Sequence, residues 1–317
     1  MISIYKSLSE SSSHLVKMDT IEPGCWINMI APNEQELILT SKKTGVPMDF
    51  LKAALDDEES SRIETSDDNI LFIVDIPFTE VEENTLTYDT YPLGIIHTND
   101  YIITVCLKNS KILSGFVNEK IKTFYTFKRS RFILQILYRV SSYYLLSLRQ
   151  IGKKSLMLQS QLHKSMSNKI LMQLLSLQNS IVYFSTSLKG NDVTFEKIMR
   201  LDIMQKYEED KDVLEDVMIE TRQAIEMTSI YGGILQATMD TTANIISNNL
   251  NTVMKLLTSV TIVITVPNII SGLFGMNVTG LPFSDIEAGN GFGVIFSLII
   301  VSTIAVSYIL HKKGMFK

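Results

Sequence analysis

Apolar positions along the chain follow two regimes. In the first 115 or so residues they come in short runs separated by glycine, proline and acidic residues. Residues 24–30 form such a run around the single tryptophan, Trp26. Residues 70–76 are continuously apolar over the length of a strand. Runs 93–96 and 101–107 flank His97-Thr98-Asn99-Asp100, whose Asn and Asp tolerate unusual backbone angles, so this segment predicts a hairpin. Pro32-Asn33-Glu34 predicts a helix start with acids in the first turn, and residues 47–55 predict a second short helix. The expectation is an α/β domain.

From about Val117 glycine and proline nearly vanish and helical periodicity persists to Pro267. Residues 131–151 are dense in Ile, Leu and Tyr, but Arg139 sits near their middle, where insertion would cost roughly 2.5–3.5 kcal/mol. A buried helix of a helical hairpin is expected there, with residues 168–188 as its antiparallel partner. Lys189-Gly190-Asn191-Asp192 is expected to end that partner, glycine being a common helix stop. A long helix is then expected from Glu208 to Phe274, weakened only at Gly232-Gly233. At 1.5 Å per residue it would be on the order of 100 Å long, and it would carry movement from the soluble body to a membrane. Its last part, residues 256–274, is long and apolar enough to cross a bilayer, and residues 291–310 form a second such run. The whole reads as an α+β membrane protein, divided as 1–115 (cytoplasmic α/β domain), 116–206 (hairpin), 207–255 (stalk), 256–274 (first span), 275–290 (outer loop), 291–310 (second span) and 311–317 (basic tail).

The first span is not uniformly apolar. Asn251, Met254, Thr258, Thr261, Thr265, Asn268, Gly272 and Gly275 recur in steps of three and four, so they share one stripe of a helix. Only Ser259 and Ser271 are polar off that stripe, and a serine can bond back to its own helix. Such a stripe either lines a wet path or packs helix against helix. A seven-residue repeat favours a left-handed bundle of copies. Pro267 frees a carbonyl that protein or water must satisfy.

The net charge of -5 leaves no nucleic-acid footprint. Cys25 and Cys106 make neither a disulfide framework nor a zinc spacing, and are expected to be buried thiols in a reducing compartment. His14, His97, His163 and His311 form no cluster in sequence, and no phosphate loop or nucleophile–base spacing points to an enzyme. The N-terminus lacks the apolar core of a signal peptide. Lysines close the chain while the 278–290 loop carries Asp285 and Glu287 and no base, so both termini are expected in the cytoplasm of a plasma-membrane protein. Acids at an outer mouth would concentrate cations there. Two further acidic patches, Asp56-Asp57-Glu58-Glu59 with Glu64, Asp67 and Asp68, and Glu80 with Glu82 and Glu83, read as solvated loops or as weak hard-cation sites.

Gly275-Met276-Asn277 at the outer end of the first of two C-terminal spans, an acidic loop and closing lysines together resemble the CorA family of divalent-cation channels, the two-span GxN transporters. Residues 251–258 are similar to that family's approach to the membrane, 267–277 to a variant of its pore helix, and 94–107 to the close of its soluble domain. The resemblance implies a homopentamer in a lipid bilayer, with five first spans around one pore and no catalytic cofactor. It implies that Gly275, Met276 and Asn277 form a selectivity filter, with Asn251, Met254, Leu257, Thr258, Thr261, Thr265, Asn268 and Gly272 behind it and Met254 and Leu257 as an apolar constriction. Mg²⁺ would be the substrate and, bridging subunits, a regulatory ligand. Asp216, with Asp212, falls where the family's stalk carboxylate would stand. The matching soluble-domain helix, Phe50-Leu51-Lys52-Ala53-Ala54-Leu55, lacks the expected acids, leaving Asp56 or Asp57 as substitutes. Co²⁺ or Ni²⁺ could also pass. A zinc transporter of the same superfamily, like ZntB, and a membrane-anchored helical sensor or scaffold stand as alternatives.

Overall fold

The computed structural model describes residues 1–9, 12–82, 85–118, 124–164, 167–201, 208–276 and 290–316. They form two compact units, Met1–Thr238 and Met239–Lys317.

The first unit is built on a seven-stranded sheet of order β2-β1-β3-β7-β6-β5-β4. Its strands are β1 (Ile2–Ser9), β2 (Ser12–Met18), β3 (Trp26–Ile30), β4 (Arg62–Ser66), β5 (Asn69–Glu82), β6 (Thr85–His97) and β7 (Ile102–Cys106). Only the central pair β3–β7 is parallel; every other neighbouring pair is antiparallel. The predicted hairpin is β6–β7, but β5 and β6 extend well beyond the apolar runs that announced them.

Alternation sorts the central strands between two cores. Ile27, Met29, Leu71, Ile73, Ile103 and Val105 pack against α1 (Glu34–Thr44) and α2 (Met48–Ala53), with Cys25 among them. Asn33 caps α1 by accepting from the Glu36 amide at 2.8 Å, while Glu36 returns the bond to the Asn33 amide at 2.9 Å. Gly45 closes the helix at φ 74°, where a Cβ would be strained. On the opposite face Trp26 is fully buried against Phe132 and Phe116, with ring centroids 5.2 and 6.4 Å away, and donates from its indole to Thr104 at 2.9 Å.

Phe116 belongs to α3 (Lys111–Val117) and Phe132 to α4 (Arg129–Lys164), the helix that begins two residues before the expected hairpin segment. Its partner α5 (Asn168–Ile198) does not stop at Lys189-Gly190-Asn191-Asp192. Gly190 faces the sheet, where an added Cβ would stand 3.4 Å from the Ser61 hydroxyl. Asn191, fully buried, accepts from Ser61 and from the Asp75 amide at 2.9 Å each and donates to the Asp75 carbonyl at 2.8 Å. The segment that looks like a helix stop is the place where α5 docks on β4 and β5. The glycine serves close approach.

The next helix, α6 (Glu208–Phe274), is continuous for 67 residues through Pro267. Within the first unit it runs alongside α4. Ser141 and Thr221 hydroxyls meet at 2.7 Å, the Tyr231 ring fills the space over Gly152, and Gln159 donates to Thr238 at 2.9 Å.

The second unit contains the rest of α6 and α7 (Asn290–Lys312). Asp210–Phe274 and Gly291–Lys312 are each long and apolar enough to cross a membrane. Ser259 is buried, and its one hydroxyl proton is shared between the Lys255 carbonyl at 2.7 Å and the Met315 carbonyl at 3.2 Å. That bond puts the residues just after α7 beside the start of the α6 span.

Candidate functional site

A helix crossing hydrocarbon satisfies its own backbone, and its side chains decide what its faces touch. In the second unit Asn251, Met254, Thr258, Thr261, Thr265, Asn268, Gly272 and Gly275 are all exposed in the single chain. Off the stripe, Leu256, Val260, Ile262, Ile264, Ile269 and Leu273 are exposed as well. The span therefore has an apolar surface suited to lipid and a separate polar surface that nothing in its own chain covers.

The hydroxyls on the stripe have a defined polarity. Thr261 donates to the Leu257 carbonyl at 2.8 Å and Thr265 to the Thr261 carbonyl at 2.7 Å. Each hydroxyl has one proton, and here the helix takes it. What remains facing outward is lone pairs. Waters bound to a cation point their hydrogens away from it, so a surface of acceptors matches a cation that keeps its water shell. Leu257 lies beside the stripe and is exposed like Met254.

At the far end α6 unwinds at Gly275, whose amide donates to the Ser271 carbonyl at 2.9 Å. A Cβ there would approach that carbonyl oxygen to 3.1 Å, so glycine lets the chain turn out of the helix. Met276 follows, exposed. Asn277, Asp285 and Glu287 lie outside the described residues.

The acids expected to hold a regulatory metal do not converge. Asp56, Asp57, Asp212 and Asp216 are each exposed. Among the described residues no three His, Cys, Asp or Glu side chains are grouped to hold a metal ion. The Asp56 carboxylate accepts from the Glu58 amide at 3.1 Å, shaping its own turn. The neighbouring acids are neutralised locally: Arg62 pairs with Glu59 and with Glu64 at 3.3 Å. In the second patch Glu80 pairs with Lys108 at 2.9 Å, whose ammonium also lies over Phe78 and Tyr91. Glu83 and the Glu82 side chain lie outside the described residues.

Three other metal-competent groups, His97, Cys25 and Cys106, are structural, and the side chains of His14 and His163 lie outside the described residues. His97 is buried, and desolvation, helped by Arg129, lowers its pKa to about 4, so it stays neutral in the sheet core. Cys25 and Cys106 are buried thiols, and burial pushes both upward, keeping them protonated. Sequence reasoning missed the Ser259–Met315 link; serine at an off-stripe position inside a span was the available signal.

A family model described as CorA-like Mg²⁺ transporter protein matches residues 22–312. A cobalt/magnesium transport protein CorA from Methanocaldococcus jannaschii is 28% identical over 298 residues, covering 91% of this chain and 90% of that protein. The complete structure of the CorA magnesium transporter from the same organism superimposes with a TM-score of 0.83 at 26% identity, over 98% of this chain and 96% of the other. The cytoplasmic domain of ZntB from Vibrio parahaemolyticus shares the fold alone, with a TM-score of 0.58 at 12% identity over 78% of this chain and 98% of its own.

Proposed function

The chain belongs to the family of CorA-like Mg²⁺ transporters, and from that premise we propose that it conducts hydrated divalent cations, Mg²⁺ foremost and Co²⁺ as a second substrate, into the cell through an assembly of its own copies. One observation carries this reading. The acceptor-rich stripe from Asn251 to Gly275 is exposed along its whole length in the single chain, on a helix apolar enough to span a bilayer. Copies arranged around an axis would turn that stripe inward, and a five-fold ring is the arrangement proposed.

Mg²⁺ dehydrates reluctantly. A path of hydroxyl and amide oxygens can accept from its waters without stripping them, and neutral ligands let the ion leave. In this proposal Asn277 gives the outermost ring of acceptors, Gly275 and Met276 shape its turn, and Thr265, Thr261 and Thr258 continue the contacts inward. Asp285 and Glu287 would enrich cations at the mouth. Two charges moving through 100 mV release about 4.6 kcal/mol, at about 2.3 kcal/mol per charge, so no fuel is required. The lysines after α7 and the Ser259–Met315 bond support placing Lys255, Lys312 and Lys313 on one side of the membrane, the cytoplasmic side by charge.

For regulation, cytoplasmic Mg²⁺ would bridge Asp216 or Asp212 of one copy to an acid such as Asp56 or Asp57 of the next. That each is exposed, and that no such group forms among the described residues of one chain, supports a site between copies.

The test is uptake into liposomes holding the full chain, with Mg²⁺, Co²⁺ and Zn²⁺ in competition. Mg²⁺ entry driven by a negative interior, and lost on Asn277→Ala, is expected. Absence of divalent flux would sink the reading. Flux that ignores Asn277→Ala would remove the filter, and an internal Mg²⁺ inhibition curve unmoved by Asp216→Asn would remove the gate.

A further inference from the structure

The helical hairpin of the first unit carries a charge pattern unlike the rest of the chain. Between Glu119 and Asp192 there is no acidic residue; the stretch holds 12 of the 29 Lys and Arg, and all 34 acids lie outside it. On α5 the exposed positions recur in steps of three and four, through Lys169, Met172, Leu175, Asn179, Val182 and Thr186. On α4 Arg149, Lys153, Leu156, Met157 and Ser160 share one exposed face in the same way. Leu156 and Met172 are 66% and 65% exposed. Arg149, Lys153 and Lys169 are exposed and form no ion pair among the described residues.

These residues gather at one end of the hairpin. The Tyr144 and Phe184 rings meet with centroids 5.1 Å apart, which sets the register of α4 against the returning α5. Counting equal steps from that pair toward the turn, Leu156 stands level with Met172 and Lys153 with Leu175. Bases and apolar side chains therefore alternate at the same height, close to the turn between the two helices. The turn also has a direction. The contacts Ser141–Thr221, Gly152–Tyr231 and Gln159–Thr238 run α4 parallel to α6 at a constant offset of 79 to 80 positions. The turn thus lies at the end of the first unit that α6 leaves after Thr238, and the same helix goes on to become the apolar span.

We infer that this end of the hairpin docks on an anionic lipid surface. Leu156, Met157, Met172 and Leu175 enter the headgroup region, and Arg149, Lys153 and Lys169 pair with lipid phosphates. Apolar side chains interleaved with Lys and Arg are the chemistry of a helix held at a membrane surface. Each base adds attraction to anionic lipid within a Debye length, and here no neighbouring acid on either helix opposes it. An acidic protein would match the charge as well. A membrane is favoured because the chain carries its own span on the helix that α4 runs beside. Through the α4–α6 bonds, lipid charge then becomes an input to the helix that leads into the membrane. The inference goes beyond the transport reading and takes from it only the cytoplasmic side of the first unit.

The experiment puts a fluorophore on Met172→Cys in the full chain, reconstituted in phosphatidylcholine vesicles with or without phosphatidylglycerol. A lipid spin-labelled near its headgroup is the quencher, and Mg²⁺ uptake is measured on the same vesicles. Cys25 and Cys106 are buried and do not take the label. Strong quenching is expected with phosphatidylglycerol and weak quenching without it. None is expected at Leu39→Cys, exposed on α1 across the sheet. Lys153→Gln with Lys169→Gln should weaken the contact about fivefold per base removed, read as the phosphatidylglycerol fraction needed for half-maximal quenching. Vesicles that carry Mg²⁺ with no quenching at Met172→Cys, or at Leu175→Cys as a second position, overturn the lipid contact and leave the transport reading intact. Quenching without uptake supports the contact and overturns the transport reading alone. Quenching that is equal in both lipids and blind to the two Gln substitutions overturns the recognition of charge. A label shielded from a water-soluble quencher in detergent, and unquenched by lipid, overturns the proposal in favour of a protein neighbour.

Discussion

The sheet unit and the membrane unit use the same residue types for opposite ends. In the sheet unit Trp26, Ile27, Phe72, Phe132 and Phe184 are buried by their own chain, and buried polar groups such as Asn191 and Thr104 are bonded to named partners. In the membrane unit Leu256, Leu257, Ile264, Ile269 and Leu273 are exposed, and among the described residues only Thr242, Ser259 and Leu310 are well covered. The first unit builds a hydrophobic core of its own within one copy. The second is complete only with lipid on one face and more copies on the other. Stability should therefore be set in the sheet unit and transport in the membrane unit, with little crossover.

The largest effect comes from the aromatic core. Phe132→Ala removes a ring that touches Trp26, Phe116 and Phe124. It should cost about 3–5 kcal/mol, read as a lower unfolding midpoint by the fluorescence of Trp26, the single tryptophan. A loss under about 1 kcal/mol would mean that this face is loosely packed. Next is Asn191→Leu, which leaves the Asp75 amide without its acceptor, while the Asp75 carbonyl keeps Tyr144 and Ser61 keeps the Asp75 carboxyl. Each buried polar group left unsatisfied costs about 1–3 kcal/mol, so unfolding of the sheet unit should again shift. An unchanged midpoint would show that water replaces the side chain.

The membrane unit should answer differently. Thr261→Val with Thr265→Val keeps shape and removes the outward lone pairs. Mg²⁺ flux in liposomes should fall about tenfold, equivalent to about 1.4 kcal/mol, while the Trp26 unfolding midpoint stays put. Loss of folding with flux retained per folded copy would reverse the comparison.

The same contrast explains what could be read from residues alone. The long helix was legible from Glu208 to Phe274 because an unbroken periodicity and a lack of early proline are local properties. The stripe was legible because a bilayer leaves few uses for Thr and Asn in a span. The continuation of α5 past Gly190 was not legible. It depends on Ser61 and Asp75, more than a hundred positions away, which turn an apparent stop into a docking surface. Strands β1 and β2, rich in serine and lysine, have no apolar run to announce them. The partner of Asp216 has no local signature, because the proposed site takes its second acid from another copy.

The smallest expected effect is also the one with a sign to work out. Asp75 lies where β5 meets α4 and α5. Tyr144 from α4 donates to its carbonyl at 3.1 Å. Burial raises its carboxyl pKa, while hydrogen bonds from Ser187 and Ser61 act in the opposite direction. Asp89 on β6 and the buried Tyr144 are the other titratable groups nearby, and neither supplies a positive charge. A carboxyl with a raised folded pKa stabilises the fold when protonated. That contribution is fully present below the unfolded value of about 3.9 and is lost as pH rises through the folded value. At neutral pH the ionised group is therefore a net cost. Asp75→Asn, which keeps the shape without the charge, should raise the unfolding midpoint at pH 7, and the gain should shrink to nothing as pH falls below about 4. A variant less stable than wild type at pH 7, by a margin that does not change with pH, would mean that the serine hydrogen bonds to the carboxylate outweigh its burial.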